Sequence, residues 1–104
     1  MLVVNEKSAQ RISFTFKDIA GATAAPTTVV YAVHCVTTGA ELLAFTAATP
    51  ANPTLITITA TLNAIQDARN SAEVRRVIVK ANEGLADALT AQYDYEVANL
   101  TAIP

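Results

Sequence analysis

Cysteine occurs once in this 104-residue chain, at position 35. No internal disulfide can close and no thiolate metal cluster can assemble, so stability must come from packing. Charge is also scarce, at 15% Asp, Glu, Lys and Arg with a formal net charge of -2. The few basic residues are dispersed, and the electrostatic footprint of a nucleic-acid binder is missing. Nucleic acid is therefore not an expected partner. No apolar run approaches the length that crosses a bilayer, and the stretch from Met1 to Lys7 carries no basic leader. The expectation is a chain without a membrane partner, made and kept in cytoplasm or assembled there. Calcium is not expected either, because no Asp-rich loop with a central Gly is present.

What remains is an apolar chain: hydrophobic residues make up 52%, much of it alanine. This length suits one domain, residues 1–104, with a modest core. A domain of that size cannot cover so much apolar surface, so some is expected to meet neighbouring chains.

The pattern is that of strands. From Leu89 to Val97 the sequence alternates, with Leu89, Ala91, Tyr93, Tyr95 and Val97 on one side and Thr90, Gln92, Asp94 and Glu96 on the other. Glu73 to Ala81 is apolar on both sides through Val77, Ile78 and Val79, as in a central strand, and Asn82-Glu83-Gly84 opens the connection between the two. They form an expected antiparallel hairpin, with Val77 opposite Tyr93 and Arg76 opposite Asp94. Gln10 to Lys17, Thr28 to Val36, Glu41 to Thr46 and Thr54 to Thr59 are the other expected strands, with a short first one at Leu2 to Val4. Asp18-Ile19-Ala20-Gly21 supplies a turn, Gly39 a tight hairpin, and the two prolines between Ala47 and Pro53 an exposed loop. Between Thr61 and Asn70 the period changes, with Leu62, Ile65 and Ala68 on one side. A short helix is expected there, capped by Thr61 and ended by Asn70.

Many short strands in so short a chain predict an all-β sandwich or small barrel. The expected core is Ile12, Phe14, Phe16, Tyr31, Val33, Ile56, Ile58, Leu62, Ile65, Val77, Val79 and Tyr93, each large side chain contributing roughly 1.5–3 kcal/mol on burial.

The chemistry-bearing residues do not converge. His34 and Cys35 are neighbours on a strand and face opposite ways, so they make neither a metal site nor a catalytic pair; a buried thiol and an edge histidine are expected. Asp94 and Glu96 share the solvent side, where an acid/base dyad would lack the burial that separates pKa values. Arg75 and Arg76 point apart and cannot clamp a phosphate. Tyr93 and Tyr95 share the core side, which argues against a carbohydrate platform. No catalytic residue, cofactor-binding residue or metal ligand is assigned. The residues left over are at the ends: Leu2, Val3, Val4, Leu100 and Ile103 are too apolar for ordinary free termini and are expected to be assembly contacts.

The strand rhythm resembles the immunoglobulin-like and fibronectin type III sandwiches, about seven antiparallel strands with one short helix here, without the tryptophan and paired cysteines of antibody domains. Phe14-Thr15-Phe16-Lys17-Asp18 before Gly21 and Pro26, Tyr31-Ala32-Val33 before Thr37-Thr38-Gly39, Ile56-Thr57-Ile58-Thr59 before Leu62-Asn63, Glu73-Val74-Arg75 and Tyr93-Asp94-Tyr95 follow in an order similar to that of small Ig-like structural proteins of tailed bacteriophages and prophages. The resemblance implies a non-enzymatic virion protein without a cofactor, assembled in the host cytoplasm. It would decorate the capsid and bind other virion subunits or copies of itself. A tail or collar accessory protein is the alternative within that class, and a cell-surface carbohydrate-binding module the alternative outside it.

Overall fold

The computed structural model describes residues 2–86 and 88–100. Its strands are β1 (Val3–Asn5), β2 (Gln10–Phe14), β3 (Phe16–Lys17), β4 (Thr23–Ala24), β5 (Val29–Cys35), β6 (Ala40–Ala48), β7 (Thr54–Ile58), β8 (Ala72–Ala81) and β9 (Leu89–Ala98). The fold is all-β, as the alternation predicts. A five-stranded sheet runs in the order β1-β9-β8-β5-β6, and β2-β7 and β3-β4 form two small antiparallel sheets.

The β8-β9 hairpin is the longest ladder. Its register places Val77 opposite Tyr93 and Arg76 opposite Asp94, as expected. On the outer face the Arg76 guanidinium donates to both carboxylate oxygens of Asp94, at 3.0 and 3.1 Å. The half-exposed setting keeps this cross-strand pair to roughly 0.2–1 kcal/mol. β5 pairs with β8 on one side and β6 on the other. His34 is therefore interior to the sheet, half-buried between Arg76 and Glu41, and not at an edge as expected.

The inward faces of both layers share one cluster: Phe16, Val29, Val33, Ile56, Ile58, Val77, Val79, Ala81, Tyr95 and Val97 are buried, and Ile12, Phe14, Tyr31, Leu62 and Ile65 pack against it. One expected core residue fails. Tyr93 is 36% exposed, whereas Tyr95, two positions on along the same face, is fully buried. The two-stranded layer is narrower than the sheet that it covers, so the inward face of β9 is closed over only at one end.

Turn chemistry follows the sequence. Asp18 Oδ1 accepts from the N–H groups of Ala20 and Ala22, and Gly21 adopts the positive φ that the turn requires. Asn82 also has a positive φ; its side-chain oxygen accepts from Thr27 and Thr28 N–H, which fastens the start of β5 to the end of β8. β6 reaches Ala48, two residues into the expected loop, because Ala47 and Ala48 find partners in Val30 and Val29.

The expected helix between Thr61 and Asn70 does not form beyond one 3₁₀ turn, Ala60–Asn63. An α-helix would bond the Gln66 N–H to the Leu62 carbonyl. Here the Arg75 Nε takes that carbonyl at 3.1 Å and the Glu73 carboxylate takes that N–H at 2.8 Å. Two buried charges on β8 thus intercept the groups that the helix needs. Asn70 donates its side-chain amide to Glu73 and does not take up the left-handed conformation expected of it. Leu62 and Ile65 still plug that end of the core, as the period of three predicts.

Candidate functional site

Glu73 and Arg75 lie on the inward face of β8, each wholly buried. Their alternation with Val77 and Val79 along β8 is the sequence signal that marks them as inward. Arg75 Nη1 donates to Glu73 Oε1 at 3.1 Å and to Cys35 Sγ at 3.1 Å, and its Nη2 donates to the Ala64 carbonyl at 2.6 Å. Glu73 also accepts from Asp67 N–H at 2.9 Å and from the Asn70 amide at 3.0 Å. Burial pushes its carboxyl upward. The N–H of Gln66, the Asn70 amide, the N–H of Asp67 and the guanidinium outweigh that and hold it below its ordinary value.

A second set of bonds continues the network. Tyr95 donates its hydroxyl to Asn63 Oδ1, and Asn63 Nδ2 donates to the Ser8 carbonyl at 2.7 Å. Burial raises the Tyr95 phenol to about 12. Asn99 donates to the Ala68 and Asn70 carbonyls. These side chains hold the irregular segment between β7 and β8 against the sheet, where backbone polar groups would otherwise be buried without partners. Glu73, Arg75, Cys35 and Tyr95 lie within one region: Glu73 and Arg75 hold backbone groups of the segment between β7 and β8, Cys35 is bound to Arg75, and Tyr95 to Asn63. A small open groove of about 320 Å³, lined by Lys7, Ala60, Thr61 and Ala64, adjoins this region at Ala64, whose carbonyl Arg75 holds. No group of three or more His, Cys, Asp or Glu side chains among the described residues could hold a metal.

Cys35 is buried and His34 lies on the other face, as the strand alternation predicts. Asp94 and Glu96 lie on the outer face, Asp94 bound to Arg76. The rings of Tyr93 and Tyr95 are 6.2 Å apart and tilted by 34°, and of these two Tyr93 is exposed and Tyr95 buried.

The residues expected as assembly contacts divide. Val3 and Val4 lie in β1, which pairs parallel with Glu96–Ala98 of β9, and Val4 packs on the core. Leu2 and Val3 remain 49% and 54% exposed, and Leu100 is 49% exposed. The Leu100 N–H donates to Glu6 Oε1 at 3.0 Å, so both ends of the described chain meet along the β9 edge. Ile103 lies outside the described residues. Other exposed apolar side chains are Ile19 in the turn between β3 and β4, Leu85 in the connection between β8 and β9, Val36 just after β5, Leu55 on β7, and Phe45, whose ring lies 4.5 Å from the Lys80 ammonium on the outer face. Sequence reading missed Phe45 and Leu85 because neither lies at a chain end.

The chain matches no family model, no curated protein and no solved structure.

Proposed function

We propose that this chain is a non-enzymatic structural protein of a tailed-phage virion, an Ig-like sandwich that decorates the capsid and binds other virion subunits. The observation that carries this reading is where the surplus apolar side chains lie. Leu2, Val3 and Leu100 flank a sheet edge, Ile19 and Leu85 lie in turns, and Phe45 and Leu55 lie on strands; none of them lines the groove at Lys7, Ala60, Thr61 and Ala64. Such placement suits contact with a large surface better than capture of a small molecule. The sheet order β1-β9-β8-β5-β6 facing β2-β7, with β1 parallel to the last strand, supports the Ig-like assignment within the all-β class. The commitment of Glu73, Arg75, Cys35 and Tyr95 to the fold supports a non-enzymatic role.

The test is to purify phage particles from cells that encode the chain and label them with an antibody against it. Many copies over the head are expected. Label confined to the tail would transfer the module to the tail or collar, and particles without the chain would refute the virion reading.

A further inference from the structure

The five-stranded sheet ends at β9 on one side, and β1 covers only part of that edge. β1 pairs with Glu96, Val97 and Ala98; among the described residues, nothing pairs with the outer edge of β9 from Leu89 to Asp94. The existing ladder shows which groups that edge presents. Glu96 N–H donates to the Leu2 carbonyl at 2.9 Å, and the Ala98 carbonyl accepts from Glu6 N–H at 2.9 Å. Backbone direction alternates along a strand, so Thr90, Gln92 and Asp94 also aim their N–H and C=O groups outward. Leu89, Ala91 and Tyr93 face inward but are incompletely covered, with Leu89 39% and Tyr93 36% exposed.

Edge strands are ordinarily protected by proline, lysine, bulges or short length. β6, at the opposite edge, has register shifts between the partners of Tyr31, Val33 and His34. β2 and β7 are five residues each. Residues 89–94 of β9 form a regular ladder with β8 and contain none of these devices.

We propose that a second copy of this chain occupies the open edge, its own β9 pairing antiparallel about a two-fold axis through Ala91, so that two five-stranded sheets become one. Residues on the same face pair only when the axis passes beside a residue, not between two. With the axis at Ala91, Thr90 of one copy meets Gln92 of the other as a hydrogen-bonded pair. This agrees with the outward direction of their backbone groups. Ala91 meets Ala91 as a close, non-hydrogen-bonded pair, where small side chains fit best. Leu89 meets Tyr93 on the inward face, covering the two apolar side chains that the narrow second layer leaves open. No charge faces a like charge within Leu89–Tyr93 in this register. Moving the axis to Gln92 would set Ala91 against Tyr93 and bring Asp94 into the ladder opposite Thr90. Leu2, beside Glu96, stops the ladder from extending further. This inference goes beyond the virion reading and does not depend on it, since a dimer in solution requires no particle.

The experiment is sedimentation of the full chain over a concentration series, with oxidative cross-linking of Ala91→Cys, Thr90→Cys and Gln92→Cys. A concentration-dependent mass twice that of the chain is expected, with a disulfide dimer forming from Ala91→Cys alone, because a close pair on the axis meets the Cβ separation that a disulfide needs. Buried Cys35 takes no part. Gln92→Pro removes an outward donor while sparing the ladder to β8, and it weakens self-association by roughly tenfold or more. Circular dichroism checks that this variant is folded; if it is not, the cross-link still decides. A chain that sediments as a monomer at every concentration, or a cross-link from Gln92→Cys in place of Ala91→Cys, overturns the proposal.

Discussion

Replacing Arg75 by methionine keeps most of the side-chain length and deletes the guanidinium. The Leu62 and Ala64 carbonyls lose their charged donor, and Glu73 loses its cation while remaining wholly buried. Removing one partner of a buried ion pair costs about 3–5 kcal/mol, and a buried acceptor left unpaired costs about 1–3 kcal/mol. These costs overlap, since all stem from one group, so the expected loss is about 3–5 kcal/mol. A domain of this size is stable by about 5–15 kcal/mol, which makes the loss roughly a fifth or more of the total. At roughly 4–8 °C per kcal/mol, Tm should fall by about 12–40 °C. Urea unfolding followed by far-ultraviolet circular dichroism and tyrosine fluorescence measures it, with Arg76→Met as the comparison. That variant breaks only the half-exposed pair with Asp94 and should cost about 0.2–1 kcal/mol. An Arg75→Met loss no larger than that of Arg76→Met would refute the closed network and mean that water reaches the guanidinium.

Tyr95→Phe leaves Asn63 Oδ1 without its hydroxyl donor and should cost about 1–3 kcal/mol by the same unfolding assay. In the parent chain the Tyr95 phenol is raised by burial to about 12, so its contribution is complete below the ordinary tyrosine value and is lost as pH climbs through about 12. A spectrophotometric titration should find one tyrosine ionising late, and the late step should vanish in Tyr95→Phe. Glu73 is shifted the other way. Its contribution is present above the ordinary glutamate range and is lost as pH falls through its lowered folded value, so Glu73→Gln should flatten the acid side of the stability profile at the cost of stability near neutrality. Cys35→Ala removes an acceptor of Arg75 as well as buried volume, so it should cost about 1–2 kcal/mol, and Cys35→Ser less. Truncation after Asn99 keeps the anchor formed by the Asn99 side chain and loses the exposed Leu100 bond to Glu6, so unfolding should barely change while occupancy of the particle drops. Equal occupancy would remove the C-terminal end from the assembly surface.

Much of this protein can be read along the chain. Alternation between Leu89 and Val97 determined which side chains share a face, and with the apolar run at Val77 to Val79 it determined the hairpin and its register, Arg76 against Asp94. A lone cysteine beside a histidine on a strand determined that the two cannot converge. Those are local facts, fixed by the two-residue repeat of a strand. Tertiary structure decided the rest. Tyr93 and Tyr95 have the same parity and nearly the same neighbours, yet only Tyr95 is buried, because coverage depends on the width of the opposing layer. The segment from Thr61 to Asn70 has the periodicity of a helix and lost it to Glu73 and Arg75, which compete for the same backbone groups from a strand that comes later in the chain. Leu2 to Val4 read as a short strand whose apolar side chains await a partner, and the edge on which β1 lies is set by β9, more than ninety residues away. Local pattern assigns a face to each side chain; what lies against that face is determined by chain segments distant in sequence, and no periodicity carries that information.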